Sequence, residues 1–150
     1  MKILLKSRVK KDFHRVVSGY NEALFRFLMP PLGLLRLLRY DGQNPGDIVH
    51  LRFGIPLIND FKVVIRNAWT SPKEYRFADR GLVMPFGIRF WQHTHRVVSL
   101  NENNTALIDL IEFKTDWWLL DLLIYPLLFL FFLPRTWQYA RYYKQLSHRK

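Results

Sequence analysis

Cysteine is absent from the 150 residues, which removes disulfides, thiolate zinc sites and cysteine nucleophiles together. The absence fits a reducing compartment, and cytoplasm is the expected location. Also missing is any run of five or more basic residues, although the formal net charge is +11. Lys6, Arg8 and Lys10 alternate with apolar residues, as do Lys62 and Arg66, so these charges read as the solvent faces of strands. With no zinc-finger, helix-turn-helix or aromatic RNA-binding spacing present, nucleic acid is not an expected partner. The opening MKILLKSRVKKDF offers only Ile3 to Leu5 as an apolar stretch, too short for a secretory signal. There is no Gly-x-Ser-x-Gly elbow, and the 12 acidic residues include no pair that spacing singles out for acid–base work. Repeats, low-complexity segments and long linkers are lacking too, so one domain over residues 1–150 is expected.

What the chain has in excess is bulk. Hydrophobic residues make up 49%, with 12 Phe, 7 Tyr and 5 Trp, more apolar surface than a small core requires. Part of it is available to line a cavity.

Ile3 to Val9 alternates, with Leu5, Ser7 and Val9 on one side, as a first strand does. Asp12 then caps a helix whose apolar positions, Phe13 to Leu28, recur at helical spacing until Pro30 and Pro31 stop it. The leucines from Leu32 to Leu38, interspersed with Arg36 and Arg39, predict a second helix ending at Tyr40. From there the punctuation is that of sheet. QNPG at 43–46, GIPLIND at 54–60 and SPKE at 71–74 separate strands expected at 47–53, 61–70, 74–80, 88–99 and 105–113. Phe61, Val63, Ile65 and Trp69 are expected on one face, continued by Tyr75, Phe77 and Asp79. NENN at 101–104 is a turn, and strands joined so tightly must be antiparallel. A closing helix runs from Asp116 to about Leu146. The expected order is β-α-α-β-β-β-β-β-α, an α+β domain with a curved antiparallel sheet around a long C-terminal helix.

The stretch FADRGLVMPFGIRFWQHTH, Phe77 to His95, followed by TALIDLIEF at 105–113, resembles the bacterial ligand-binding branch of the START-like, or SRPBCC, superfamily. Its pattern is Phe-x-Asp, Gly-Pro-Phe, Trp-x-His-x-His and an Asp on the next strand. Phe77, Asp79, Pro85, Phe86, Trp91, His93, His95 and Asp109 match it. Met84 stands where the glycine would be, and four residues rather than two separate Phe86 from Trp91. The resemblance implies the helix-grip fold, in which the sheet encloses a ligand cavity; members bind lipids, sterols, polyketides, quinones or plant hormones, and some are enzymes.

His93 and His95, two apart on a strand, point to the same side as Trp91. If the NENN hairpin pairs Ser99 with Thr105, His95 faces Asp109; a one-residue slip would put Arg96 there instead. Three readings of this group stand: a buried structural cluster, an anchor for a ligand head group, or a metal site. A metal needs a third ligand, and no spacing rule supplies one from His50 or Asp109, so no metal and no cofactor is expected. Trp69, Tyr75, Phe77, Phe86 and Trp91 are candidate cavity walls. The expected function is binding of a hydrophobic small molecule, lipid-like, polyketide-like or quinone-like, as carrier or sensor. A cyclase or dehydratase using His95 as base and Asp109 as orienter is the enzymatic alternative.

A third alternative lies in Trp117 to Arg135. The uncharged run Leu122 to Leu133 spans about 18 Å as a helix against about 30 Å of hydrocarbon, and extending it places Asp121 in the bilayer and Pro126 mid-span, where it should bend or break the helix. Yet the run is apolar all round, so one face needs a cover. The candidates are the Leu32 to Leu38 segment, a second copy of the chain, a ligand, or a membrane surface that attracts the basic tail to Lys150.

Overall fold

The computed structural model describes residues 1–30, 33–58 and 60–146. The chain begins with β1 (Lys2–Val9), α1 (Phe13–Ser18), α2 (Glu22–Leu28) and β2 (Leu35–Tyr40). It continues through β3 (Ile48–Phe53), β4 (Phe61–Thr70), β5 (Glu74–Val83), β6 (Ile88–Asn101) and β7 (Asn104–Thr115). Two helices close it, α3 (Trp118–Phe132) and α4 (Arg135–Leu146).

All seven strands join one antiparallel sheet in the order β1-β7-β6-β5-β4-β3-β2. The first two strands in sequence therefore lie at opposite edges, and α1 and α2 carry the chain from one edge to the other. β1 buries Ile3, Leu5, Ser7 and Val9 and exposes its basic residues, following its alternation. The curled sheet grips the C-terminal helical segment, giving the α+β helix-grip architecture.

Several local expectations change. The single helix over Phe13 to Leu28 is two: α1 is capped by Asp12, which accepts from Arg15 N, and α2 by Asn21, whose side chain accepts from Ala23 N and Leu24 N. The helix expected over Leu32 to Tyr40 is instead strand β2, with Leu32 outside the described residues. Leucine favours helix locally, but here the segment bonds to β3, Leu35 opposite Phe53, and tertiary pairing overrides propensity. Gly33 makes the preceding turn at φ +67°, a left-handed conformation that glycine adopts without steric cost. Six strands, rather than five, therefore lie between α2 and the closing helices. Pro126 neither breaks nor ends α3, which runs through it; the change to α4 falls at Leu133 and Pro134.

Two apolar clusters fill the interior. One joins Ile3, Val63, Trp91, Ile111 and Phe113 to Ile124 and Phe132 of α3. The other joins Phe13, Val16 and Leu24 to Val97, Leu107, Tyr139 and Tyr143. Along β6 the boundary between them falls at His93 and His95, and along β7 at Asp109. A polar layer thus crosses the middle of the inner face. Trp118–Leu146 is by length and composition long and apolar enough to cross a membrane, but Asp121, Ile124 and Phe132 face the protein core.

Candidate functional site

The polar layer is built by register. Ser99 pairs with Thr105, which sets His95 opposite Asp109, and across the other edge of β6 His93 lies opposite Asp79. Inward-facing residues of β5, β6 and β7 thus bring Asp79, His93, His95 and Asp109 together, all buried. The helical layer adds three more side chains: Tyr20 from the α1–α2 link, and Arg135 and Tyr139 from α4.

The hydrogen bonds fix the protons. Tyr139 donates to Asp109 Oδ2 at 3.0 Å, so in the 3.2 Å contact between hydroxyls Tyr20 is the donor. With its own proton so used, the Tyr20 oxygen must accept from His95 Nδ1, 2.7 Å away. His93 Nε2 donates to Asp109 Oδ1 at 2.9 Å, which leaves His93 Nδ1 as a lone pair when the ring is neutral. Trp91 Nε1 donates to Asp79 Oδ1 at 3.0 Å. Asp109 thus accepts from His93 and Tyr139 and lies 3.1 Å from His95 Nδ1.

Electrostatics separates the two imidazoles. Burial, with the neighbouring charge of His95, pushes His93 down to about 4, against the pull of Asp109. For His95 burial also opposes charge, but hydrogen bonds to Asp109 and Asp79 prevail and raise its pKa. Burial would raise Asp109, yet its bonds to both histidines and the Arg135 charge hold it well below the carboxylate range. Burial pushes Tyr20 and Tyr139 upward, so both remain hydroxyls. Arg135 stays cationic despite its burial, with Tyr139 and the Asp109 carboxylate beside it, Nη1 lying 3.8 Å from Asp109 Oδ1. The raised pKa of His95 favours its protonated form, which suits proton donation beside Asp109 better than the part of a general base.

Beside this layer is a cavity of about 340 Å³. Val49, Leu51, Val63 and Ile65 form its sheet wall, Leu127, Phe131 and Phe132 its α3 wall, and Asp79, His93, His95 and Arg135 its polar end. Of the residues expected to line it, Phe77, Phe86, Trp91, His93 and His95 do. Asp109 lies behind the histidines, outside the lining. Tyr75 also stands outside, donating instead to Gln43 Oε1, a lining residue. Trp69 is 45% exposed on the outer face, under the Arg76 guanidinium. The cause is a bulge at Arg66: Ile65 pairs with Asp79 but Asn67 with Ala78, so the inward parity passes from Trp69 to Ala68, opposite Phe77. The extra residues between Phe86 and Trp91 are taken up by a turn, with Phe86 and Gly87 at positive φ, and by a bulge at Arg89. Sequence reading missed Tyr20, Arg135 and Tyr139. They come from elements distant in sequence, and only Arg135, a charge ending a 12-residue apolar run, carried any signal.

No protein-family model matches the sequence, and no curated protein matches it. Solved structures do. Norcoclaurine synthase from Thalictrum flavum, in complex with dopamine and hydroxybenzaldehyde, superposes with a TM-score of 0.71 at 12% identity, over 100% of this chain and 88% of its own. A protein from Nitrosospira multiformis gives 0.66 at 11% identity, covering 99% of this chain and 100% of its own. The Zhui aromatase/cyclase from Streptomyces sp. R1128 gives 0.54 at 17%, over 78% of this chain and 69% of its own. Together with the gripped helix and the cavity beside it, these likenesses show that the chain has the helix-grip fold.

Proposed function

We propose that the protein binds a hydrophobic small molecule bearing one polar or anionic oxygen group, as a carrier or sensor. The observation that carries this reading is the asymmetry of the cavity: an apolar volume of about 340 Å³ ending in buried Arg135 and His95. That size lies within the range of small-molecule sites, which pair mostly apolar walls with a few convergent polar groups. Arg135 lies over the Phe132 ring at 4.5 Å and reaches Asp109 only at 3.8 Å, so it retains donors for a ligand carboxylate or enolate. The norcoclaurine synthase and aromatase/cyclase likenesses support a small organic ligand at the level of fold alone.

Native mass spectrometry of gently purified protein, followed by organic extraction, tests the reading. A co-purifying apolar molecule is expected in the wild type and should be lost from Val63→Phe, which fills the sheet wall. An empty wild type, or equal loading of the folded variant, would count against it.

A second reading is peripheral membrane contact, favoured by the outer face of α3. Trp117 and Trp118 are 73% and 69% exposed, and Leu119, Leu122, Leu123, Leu127 and Leu130 continue the patch. Leu127 also lines the cavity, as does exposed Phe86, so the apolar face reaches the cavity mouth. An anionic bilayer surface fits both the patch and the +11 charge. Cosedimentation with phosphatidylserine vesicles tests it: protein in the pellet is expected, and protein left in the supernatant at low salt refutes it.

A further inference from the structure

We propose that Asp79, His93 and His95 form a binding site for one divalent transition-metal ion on the cavity wall. Asp79 Oδ2 lies 3.4 Å from His95 Nε2 and 3.9 Å from His93 Nδ1, and one ligand atom from each of the three residues falls within 4.8 Å of the others. Two ligands about 2.1 Å from a tetrahedral ion stand roughly 3.4 Å apart. The first pair already meets that spacing, the second needs a closure of about half an ångström, and the two imidazole nitrogens, which lie within 4.8 Å of each other, need at most about 1.4 Å.

The supporting hydrogen bonds separate this arrangement from an ordinary polar cluster. In each of the three residues the polar atom not facing the shared point is engaged elsewhere. His93 Nε2 donates to Asp109 Oδ1, His95 Nδ1 donates to Tyr20, and Asp79 Oδ1 accepts from Trp91 Nε1. The tautomers thus fixed leave His93 Nδ1 and, in the neutral ring, His95 Nε2 as lone pairs directed toward Asp79 Oδ2. A ligating histidine whose other nitrogen donates to a carboxylate is the usual way such sites hold ring orientation. Here Asp109 serves both rings: it accepts from His93, and it stands 3.1 Å from His95 Nδ1 as well as being linked to it through Tyr20 and Tyr139.

Two imidazoles and one carboxylate, with no thiolate, suit zinc, cobalt(II) or iron(II) rather than calcium or magnesium. Three protein ligands leave at least one coordination position open. All three ligands line the cavity together with Arg135, so the open position faces the place where a bound molecule's oxygen would sit. The inference deepens the ligand-binding reading but does not depend on it, because the ion is held by the chain's own side chains.

The test uses the full-length, untagged, chelator-treated protein, titrated with Co²⁺ and followed by visible absorption, then with Zn²⁺ by calorimetry. One equivalent of each ion is expected, with Zn²⁺ displacing the Co²⁺ spectrum. Binding should weaken at least 100-fold in Asp79→Asn and in His93→Gln. The His14→Gln/His50→Gln double variant, altered away from the cluster, should bind as the wild type does. Absence of a Co²⁺ band in the folded wild type overturns the proposal without recourse to any variant, as does loss of binding in the double variant. Val63→Phe should lose the co-purifying molecule yet keep the ion, so failure of the metal site and failure of the ligand reading give different results.

Discussion

His93 and His95 sit 3.8 Å apart, centroid to centroid, yet protonate in opposite senses. His93 is pushed down to about 4 by burial and its neighbour, whereas the carboxylates raise His95 above its ordinary value of 6.5. In the unfolded chain both titrate near 6.5. Between pH 6.5 and about 4 the folded protein therefore binds fewer protons at His93 than the unfolded chain does, and stability falls as the pH drops. Above 6.5 the folded protein still holds the His95 proton that the unfolded chain has released, so stability falls again as the pH rises through the raised value. Thermal melts in chelator should show a maximum near pH 6.5, with His93→Gln flattening the acid limb and His95→Gln the alkaline limb. A monotonic profile, unchanged by either substitution, would mean that the pair does not titrate in this way.

Among the elements, α3 shows how a single buried carboxylate attaches a greasy helix to a sheet. Asp121 lies in its first turn, where an acidic group favours the helix dipole, and its Oδ1 accepts from Thr115 N, the last residue of β7, at 2.6 Å. Asp121→Ala leaves that amide buried without a partner and should cost about 1–3 kcal/mol. This corresponds to a fall in Tm of very roughly 2–12 °C for a chain of this size. Asp121→Asn, which keeps an acceptor, should lose clearly less; equal losses from the two would show that the carbonyl oxygen does not replace the carboxylate. Which elements could be read from sequence followed from how local their causes are. The NENN turn is specified within four residues, and the strand pairing that sets His95 against Asp109 follows from it. β2 was unreadable because its partner, β3, decides against its leucines. Trp69 was misplaced because a bulge reverses parity without leaving a mark in the alternation around it. Asp79, His93 and His95 are legible as strand residues, but the unbroken register that sets Asp79 against His93 depends on the connection between Val83 and Ile88, which alternation does not specify.

For the whole molecule, charge and apolar surface act together. The net +11 alone would give binding to anionic vesicles that salt abolishes, since the screening length falls from about 10 Å at 0.1 M to 3 Å at 1 M. The exposed tryptophans and leucines of α3 add a contribution that salt does not screen. Vesicle binding should therefore weaken but persist at 0.5 M salt, whereas Trp118→Glu/Leu123→Glu should be released there. Complete release of the wild type at that salt would leave electrostatics as the whole attraction.

The edge position of β2 has a consequence for how this sheet lives among its own copies. A sheet left open presents unpaired backbone groups to any extended chain that drifts past, and self-addition there is a common start of aggregation. The β2 rim is poorly suited to such addition: its pairing is interrupted by a bulge at Leu38, and Arg36 and Arg39 bring like charge to any identical rim approaching it. The same short segment whose leucines predict a helix thus gives the sheet an end that does not invite another strand.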